Sequence, residues 1–431
     1  MTAAPTAAPP VTLLLDPDDC RTLHQTALLR SDPTRGRITT DPTPHTNSAA
    51  DLAHDLLHAM GRDGTDHPRS HRMPTNTAWR AVTCWTLTTG LQEVIVLRAH
   101  RLTTQRLQRL AAWRAQTGIR LVLLAHAPTP DHEQRLQQRL TLTGLAALTV
   151  RRGTHAVSSA LRPATTGRPD EPPPVGHTPP LPTPPCNGAV TVRTTGRPRL
   201  NGQYHAGYTA ARTWLARHPA LPPHGACHRE DLRLFLSRLT VLSPALETTL
   251  ARVRGAQAGF LSRGLVLDIP DDLADYGGPG VTTVPFTPRV ARILTTRLPH
   301  PLHAAAAAAL LFTGTTPALL RLTQLTSIDE HTTRIAVDRD TQIHIGDPPG
   351  PRHMYAIPPR ARPMIRAALE FRRRTPKALA HFGLFATCFG TPDLYDNLIA
   401  DMGIGMPAAA CNAASRDWHT AARCQQVTSS R

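Results

Sequence analysis

The chain has 431 residues with 48 basic and 31 acidic side chains, a formal charge of +17, and every basic residue except Lys377 is arginine. That length suggests two or three domains, and the longest uncharged apolar run, residues 304–312, is about half of what a membrane helix needs. The opening MTAAPTAAPPVTLLLD has no basic region ahead of its apolar one, and the scattered cysteines form no Cys-x-x-Cys pair; a secretory signal, a disulfide framework and a zinc ribbon are therefore not expected, and a cytoplasmic protein away from membranes is.

In chain order, residues 11–15 (VTLLL) read as a short buried strand. Ser48 is placed to cap a helix whose Leu52, Leu56, Leu57 and Met60 share one face, with Gly61 as its stop. Residues 93–97 (EVIVL) and 119–125 (IRLVLLA) have the composition and length of buried strands. Between them, Leu102, Leu107, Leu110 and Ala111 form a helical stripe that ends at Gly118. Strand, helix and strand with short connections require parallel pairing, so residues 1–160 are expected to form an α/β parallel-sheet module.

Residues 163–185 hold ten prolines, which block helices and central strands and favour an extended spacer; the linker is placed over 161–200. Beyond it, Leu232, Phe235, Leu236 and Leu239 follow helical spacing, and Leu246, Leu250, Val253 and Phe260 form a second stripe, giving a helical domain over 201–275. Residues 276–431 predict a mainly α body with a small antiparallel sheet: an Ala-rich helix (302–312), a Leu-rich helix (317–325), short alternating strands (334–337, 342–345, 353–357) and a basic helix (361–374). The positive charge is spread over both modules, and part of it is what a high-GC genome supplies as arginine.

Residues 94–102 (VIVLRAHRL), with the strand order before and after them, resemble the AAA+ ATPases that assist transposition in mobile elements. In that family an apolar strand ends in Asp-Glu, then a small residue, His or Gln, Arg and Leu. Ala99, His100, Arg101 and Leu102 match that tail, while Leu97 and Arg98 stand at the two carboxylate positions that would hold magnesium and activate water. Laid on residues 15–22 (LDPDDCRT), the phosphate-loop pattern finds no glycine, three aspartates, and Arg21-Thr22 in place of Lys-Thr. The resemblance therefore implies an ATPase-like fold with no ATP hydrolysis and no bound nucleotide.

Residues 313–329 (TGTTPALLRLTQLTSID) resemble the start of the catalytic domain of tyrosine recombinases, the phage integrases. Thr313, Gly314, Leu320, Leu322 (offset by one), Ile328 and Asp329 keep the family frame, but its catalytic arginine falls on Thr316 and the supporting glutamate on Leu319. Arg352 and His353 lie near the place of the family's strand lysine. The late His-x-x-Arg-His-Thr box is echoed by residues 417–421, which keep His419 and Thr420 but put Trp418 at the arginine position, and no tyrosine follows Tyr395. Phosphodiester cleavage needs a nucleophile and a cationic clamp on the phosphate, and this set supplies neither in full.

The expectation is a two-module, non-catalytic DNA-binding protein of a mobile element or plasmid, with double-stranded DNA as partner and intact recombinase or transposition proteins as further partners. Arg334, Arg352, His353, Arg360, Arg362, Arg366, Arg372, Arg373 and Arg374 are its candidate DNA contacts, through phosphate neutralisation. Two alternatives stay open: a divergent active recombinase using Arg352, His353, Arg416 and His419 with Tyr395 or a nucleophile in trans, and a protein scaffold without DNA. No cofactor is expected, and His218, His224, Cys227 and His228 lack the paired spacing of a zinc site, so no metal is expected either.

Overall fold

The structure, a computed structural model, describes residues 9–44, 46–62, 73–145, 148–153, 198–218, 226–241, 243, 246–270, 273, 276–277, 281, 283–338, 352–375, 383–388 and 416–426. The chain divides into two compact units, Met1–Asn187 with Thr296–His300, and Gly188–Thr295 with Pro301–Arg431. Most of the expected linker, 161–200, lies outside the described residues, and its last three residues already belong to a helix.

The first unit is an α/β module. Its strands are β1 (Val11–Asp16), β2 (Arg37–Thr40), β3 (Glu93–Val96), β4 (Arg120–His126) and β5 (Leu148–Arg152). They form one sheet in the order β2-β3-β4-β1-β5, with every pair parallel. Helices α1 (Arg21–Leu29), α2 (Ala49–Ala59), α3 (Thr75–Thr89), α4 (Thr104–Thr117) and α5 (Pro130–Leu142) make the crossovers that parallel neighbours require. β1 is flanked on both sides and all six of its residues are buried, as its unbroken apolar run predicts. Leu14, Ile95, Val122 and Leu124 meet Leu23 and Ala27 of α1 in a common core.

Local signals explain several boundaries. The Ser48 hydroxyl accepts the Ala50 N–H at 3.1 Å and caps α2. Gly118 takes φ +70° and returns its N–H to the Arg114 carbonyl at 2.8 Å, a left-handed stop that suits a residue without Cβ. α3 is rich in threonine, yet it is helical. Thr83, Thr86 and Thr88 turn their hydroxyls back to the carbonyls of Trp79, Val82 and Cys84 at 2.8–2.9 Å, so burying them leaves no hydroxyl unpaired.

The second unit is mainly helical. α6 (Pro198–Arg217), α7 (Ala226–Thr240) and α8 (Leu246–Leu261) gather Ala211, Leu215, Leu232, Phe235, Leu236, Leu239, Val253, Ala256 and Phe260 into one core. α6 and α8 approach so closely that a Cβ built on Gly255 would lie 1.9 Å from the Tyr204 carbonyl oxygen, and one on Gly207 would lie 2.0 Å from that of Arg252. α9 (Pro288–Arg297) follows, then α10 (Pro301–Thr313), in which every residue but His303 is buried. α11 spans only Pro317–Arg321, shorter than the Leu-rich helix expected over 317–325, because the chain leaves it for a separate 3-10 turn at Leu325–Ser327.

β8 (Arg334–Asp338) pairs antiparallel with β9 (Arg352–Ala356), the small sheet the alternating segments suggested; the third segment, 342–345, lies outside the described residues. α12 (Arg362–Arg373) then packs on α10. Two further pairs tie distant parts of the chain together. β6 (Leu265–Asp268) is antiparallel to β11 (Arg423–Gln426), and β7 (Tyr276–Gly277) is parallel to β10 (Arg416–Asp417). Between β10 and β11 the short helix α13 (Trp418–Ala421) puts Trp418 into the core of α6–α8. Residues of 201–275 share a core with Val281, Trp418 and Ala422, and the second unit takes in both ranges apart from Thr296–His300. Among the described residues no helix is long and apolar enough to cross a membrane.

Candidate functional site

In an open parallel sheet, ligands bind beyond the carboxyl ends of the strands. Here β1 ends at Asp16, and only residues 17–20 separate it from α1. Asp16 is fully buried, and its carboxylate accepts the N–H of Cys20 at 2.6 Å and of Asp18 at 3.3 Å. The amide groups of the loop that would face a bound anion are thus turned to a carboxylate of the chain itself. Asp19 adopts φ +46° in the same loop. Cys20 stands at the N-cap position of α1 without a side-chain cap bond, and the Thr22 hydroxyl, 2.9 Å away, with the N–H groups of Leu23 and Thr22, holds its thiol below the ordinary value. Arg21 and Thr22 are exposed on the first turn of α1.

At the end of β3, Leu97 is wholly buried in the sheet–helix core. Arg98 sits in the left-handed region at φ +48°, and its guanidinium lies 3.2 Å from the Asp41 carboxylate. His100 follows in a 3-10 turn, where its Nδ1 accepts the His126 N–H at 3.1 Å and its Nε2 accepts the Arg101 Nε–H at 3.3 Å. Burial, then the charges of Arg101 and His126, push the His100 imidazole down to about 4. The His126 ring donates from Nδ1 to the Asp16 carbonyl at 3.1 Å, and Arg139 of α5 donates to the His100 carbonyl at 2.9 Å. Leu97 and Arg98 follow β3, and Arg21 and Thr22 open the helix that follows β1, at the same edge of one parallel sheet, where polar contacts join Asp16, His126, His100 and Arg139. Leu97 and Arg98 supply no carboxylate pair at the end of β3, and residues 15–22 include no glycine.

In the second unit, the TGTTP motif marks a helix junction. Gly314 at φ +64° donates its N–H to Leu310 at the end of α10, and the Thr316 hydroxyl caps α11 by accepting the Leu319 N–H at 3.4 Å, with Pro317 at the first helical position. Thr316 thus has a local structural task, and Leu319 is half-buried on the helix it caps.

His353 on β9 and His419 on α13, far apart in sequence, lie with ring centroids 5.8 Å apart. The Trp418 ring lies 4.0 Å from that of His419, and His419 Nε2 is 3.1 Å from the Thr240 hydroxyl at the end of α7. That hydroxyl donates onward to the Leu236 carbonyl at 3.0 Å, so Nε2 is the protonated nitrogen of His419. The structure therefore brings together three positions singled out from sequence, and it buries them: His353 is 8%, His419 1% and Trp418 0% exposed. Thr240 was not anticipated, because as the last residue of a leucine stripe it carries no chemical signature.

The candidate DNA contacts separate by exposure. Arg334, Arg360, Arg366, Arg373 and Arg374 are exposed. Arg366 also donates to the His331 carbonyl at 3.2 Å, and Glu370 lies 2.8 Å from Arg374 and 3.7 Å from Arg373. Arg362 is half-buried against the Ile357 carbonyl, and Arg352 is held by Asp338 at 2.7 Å. Arg372 corrects the sequence reading. It faces inward, 6% exposed, donating to the Leu384 carbonyl and the Thr387 hydroxyl at 3.0 Å each, with its basicity lowered by burial. On a helix packed against α10, one arginine of the run has to point into the protein.

His218 stacks on Trp214 at 4.4 Å between ring centroids, and its Nδ1 lies 2.8 Å from the Trp214 carbonyl. His224 and Tyr395 lie outside the described residues, as do the side chains of Cys227, His228, Arg416 and Thr420. Among the described residues no cluster of three or more His, Cys, Asp or Glu could hold a metal ion. Compared with known proteins, the chain matches no family model and no curated protein.

Proposed function

We propose that this chain is a non-catalytic DNA-binding protein of the recombinase-like kind, joined to an AAA+-like module, and serving a mobile element or plasmid. The carrying observation is the contrast within the second unit. Positions where strand cleavage would need reactive groups are a helix cap (Thr316), an apolar side chain (Leu319) and buried rings (His353, Trp418, His419), whereas Arg334, Arg360, Arg366, Arg373 and Arg374 stay in solvent. Exposed guanidinium groups neutralise phosphates without a nucleophile.

For the first unit, the reading is supported by the shared edge: the loop after β1 and the residues after β3 end on the same side of one parallel sheet, where a nucleotide would have to meet both. The Asp16 carboxylate in the loop and the Arg98–Asp41 pair support the reading that this edge binds no triphosphate. Fluorescence anisotropy with labelled duplex DNA across a salt series tests the reading. Affinity should fall steeply as salt rises, and absence of binding at about 50 mM salt refutes it.

A further inference from the structure

Residues 276–328 contain no aspartate or glutamate, and the part of this stretch that lies in the second unit carries Arg289, Arg292 and Arg321. Within it, α9 buries Val290 and Leu294 and leaves Arg289 and Arg292 exposed. The two are three residues apart, hence neighbours on one helical face. Among the described residues no acidic side chain pairs with either of them. The neighbouring α10 adds no charge, since its only titratable residue is His303. The arginines of α12 are in a different state: Glu370 serves both Arg373 and Arg374, Arg372 is inside, and Arg362 is committed to a carbonyl.

We infer that the exposed face of α9, through Arg289 and Arg292, is the main phosphate-contacting surface of the second unit. The inference rests on the DNA-binding reading above and shifts its weight from α12 to α9. A guanidinium without a carboxylate partner has its charge available, and its planar fork matches two oxygens of one phosphate. A guanidinium beside Glu370 must first give up that pair. The burial of Val290 and Leu294 fixes α9 so that both cations point the same way without further ordering.

The test uses the full chain. Wild type, R289Q/R292Q and R373Q/R374Q are titrated with the same labelled duplex between about 50 and 200 mM salt; glutamine keeps the helix propensity of arginine. Circular dichroism melts of the three proteins should coincide. R289Q/R292Q should reduce the slope of log affinity against log salt by about 1.8, at about 0.9 per lost phosphate contact, so that its affinity changes roughly tenfold less than wild type over that range. R373Q/R374Q should lose less than half as much slope. A wild-type slope in R289Q/R292Q, or an equal loss in R373Q/R374Q, overturns the inference while the DNA reading stands. A wild type that binds no duplex overturns both.

Discussion

Replacing Gly255 by alanine perturbs the closest helix contact in the second unit. A methyl group there would meet the Tyr204 oxygen at 1.9 Å, the Tyr204 carbonyl carbon at 2.8 Å and the Tyr208 nitrogen at 2.9 Å. All three are backbone atoms of α6, so no side chain can rotate away and the helices must separate. Gly259 continues the contact one turn on, with Ala211 Cβ at 2.6 Å from its would-be Cβ, and the separation would spread along the seam. Alanine gains about 1 kcal/mol of helix propensity over glycine. Overpacking a tight core costs about 1–3 kcal/mol, and this seam is backbone against backbone, so the net loss should be about 2 kcal/mol. In a domain of this size that is a fall in Tm of roughly 4–8 °C. Gly202 on α6 is the internal control: nothing lies within 4 Å of its would-be Cβ. Gly202→Ala should gain about 0.5–1 kcal/mol. Hydrogen exchange of α6 and α8 amides, read with thermal melts, separates this seam from the rest of the chain. Equal stability of Gly255→Ala and wild type would show that the seam is looser than described.

Two other outcomes follow from buried groups. His100 is neutral in the folded protein down to about 4, against an ordinary value of about 6.5, so the unfolded chain binds its proton first as the solution is acidified. Its contribution to stability is complete above about 6.5 and is lost as pH falls toward about 4. The urea midpoint should drop over that window, and less so in His100→Asn; parallel pH profiles for the two proteins would contradict this. Arg372→Met should cost about 2–3 kcal/mol in chemical denaturation, because the Leu384 carbonyl and the Thr387 hydroxyl lose their donor. Arg373→Met, at an exposed pair with Glu370, should change stability by less than about 1 kcal/mol.

What was legible in the sequence was local. The apolar run of β1, the Ser48 cap, the Gly118 stop and the leucine stripes of α7 and α8 each depend on residues within a few positions of one another, and each is found where expected. α3 was missed because threonine suggests strand or loop until burial shows its hydroxyls bonded to carbonyls four residues back. β2, of only four residues, depends on β3 beside it for its recognition. β6 and β11 find each other across about 160 residues, a pairing no local pattern announces. The site followed the same division. The identities of Leu97, Arg98, Thr316 and Trp418 could be read directly, whereas the burial of His419 and Arg372 depends on which elements pack above them. Asp16, the carboxylate that fills its own loop, looked from sequence like one of three equivalent aspartates.

The pairing of β11 with β6, and Trp418 among the helices of α6–α8, also bear on how the protein is born. On the ribosome the three helices emerge long before the indole that completes their interior, at a few to tens of residues per second. During that interval of roughly ten seconds or more the nascent helices hold an open apolar notch, which a chaperone or a neighbouring nascent chain could occupy. Synonymous-codon changes between residues 262 and 416 would lengthen or shorten that wait, and solubility on expression should follow them while the folded protein stays the same.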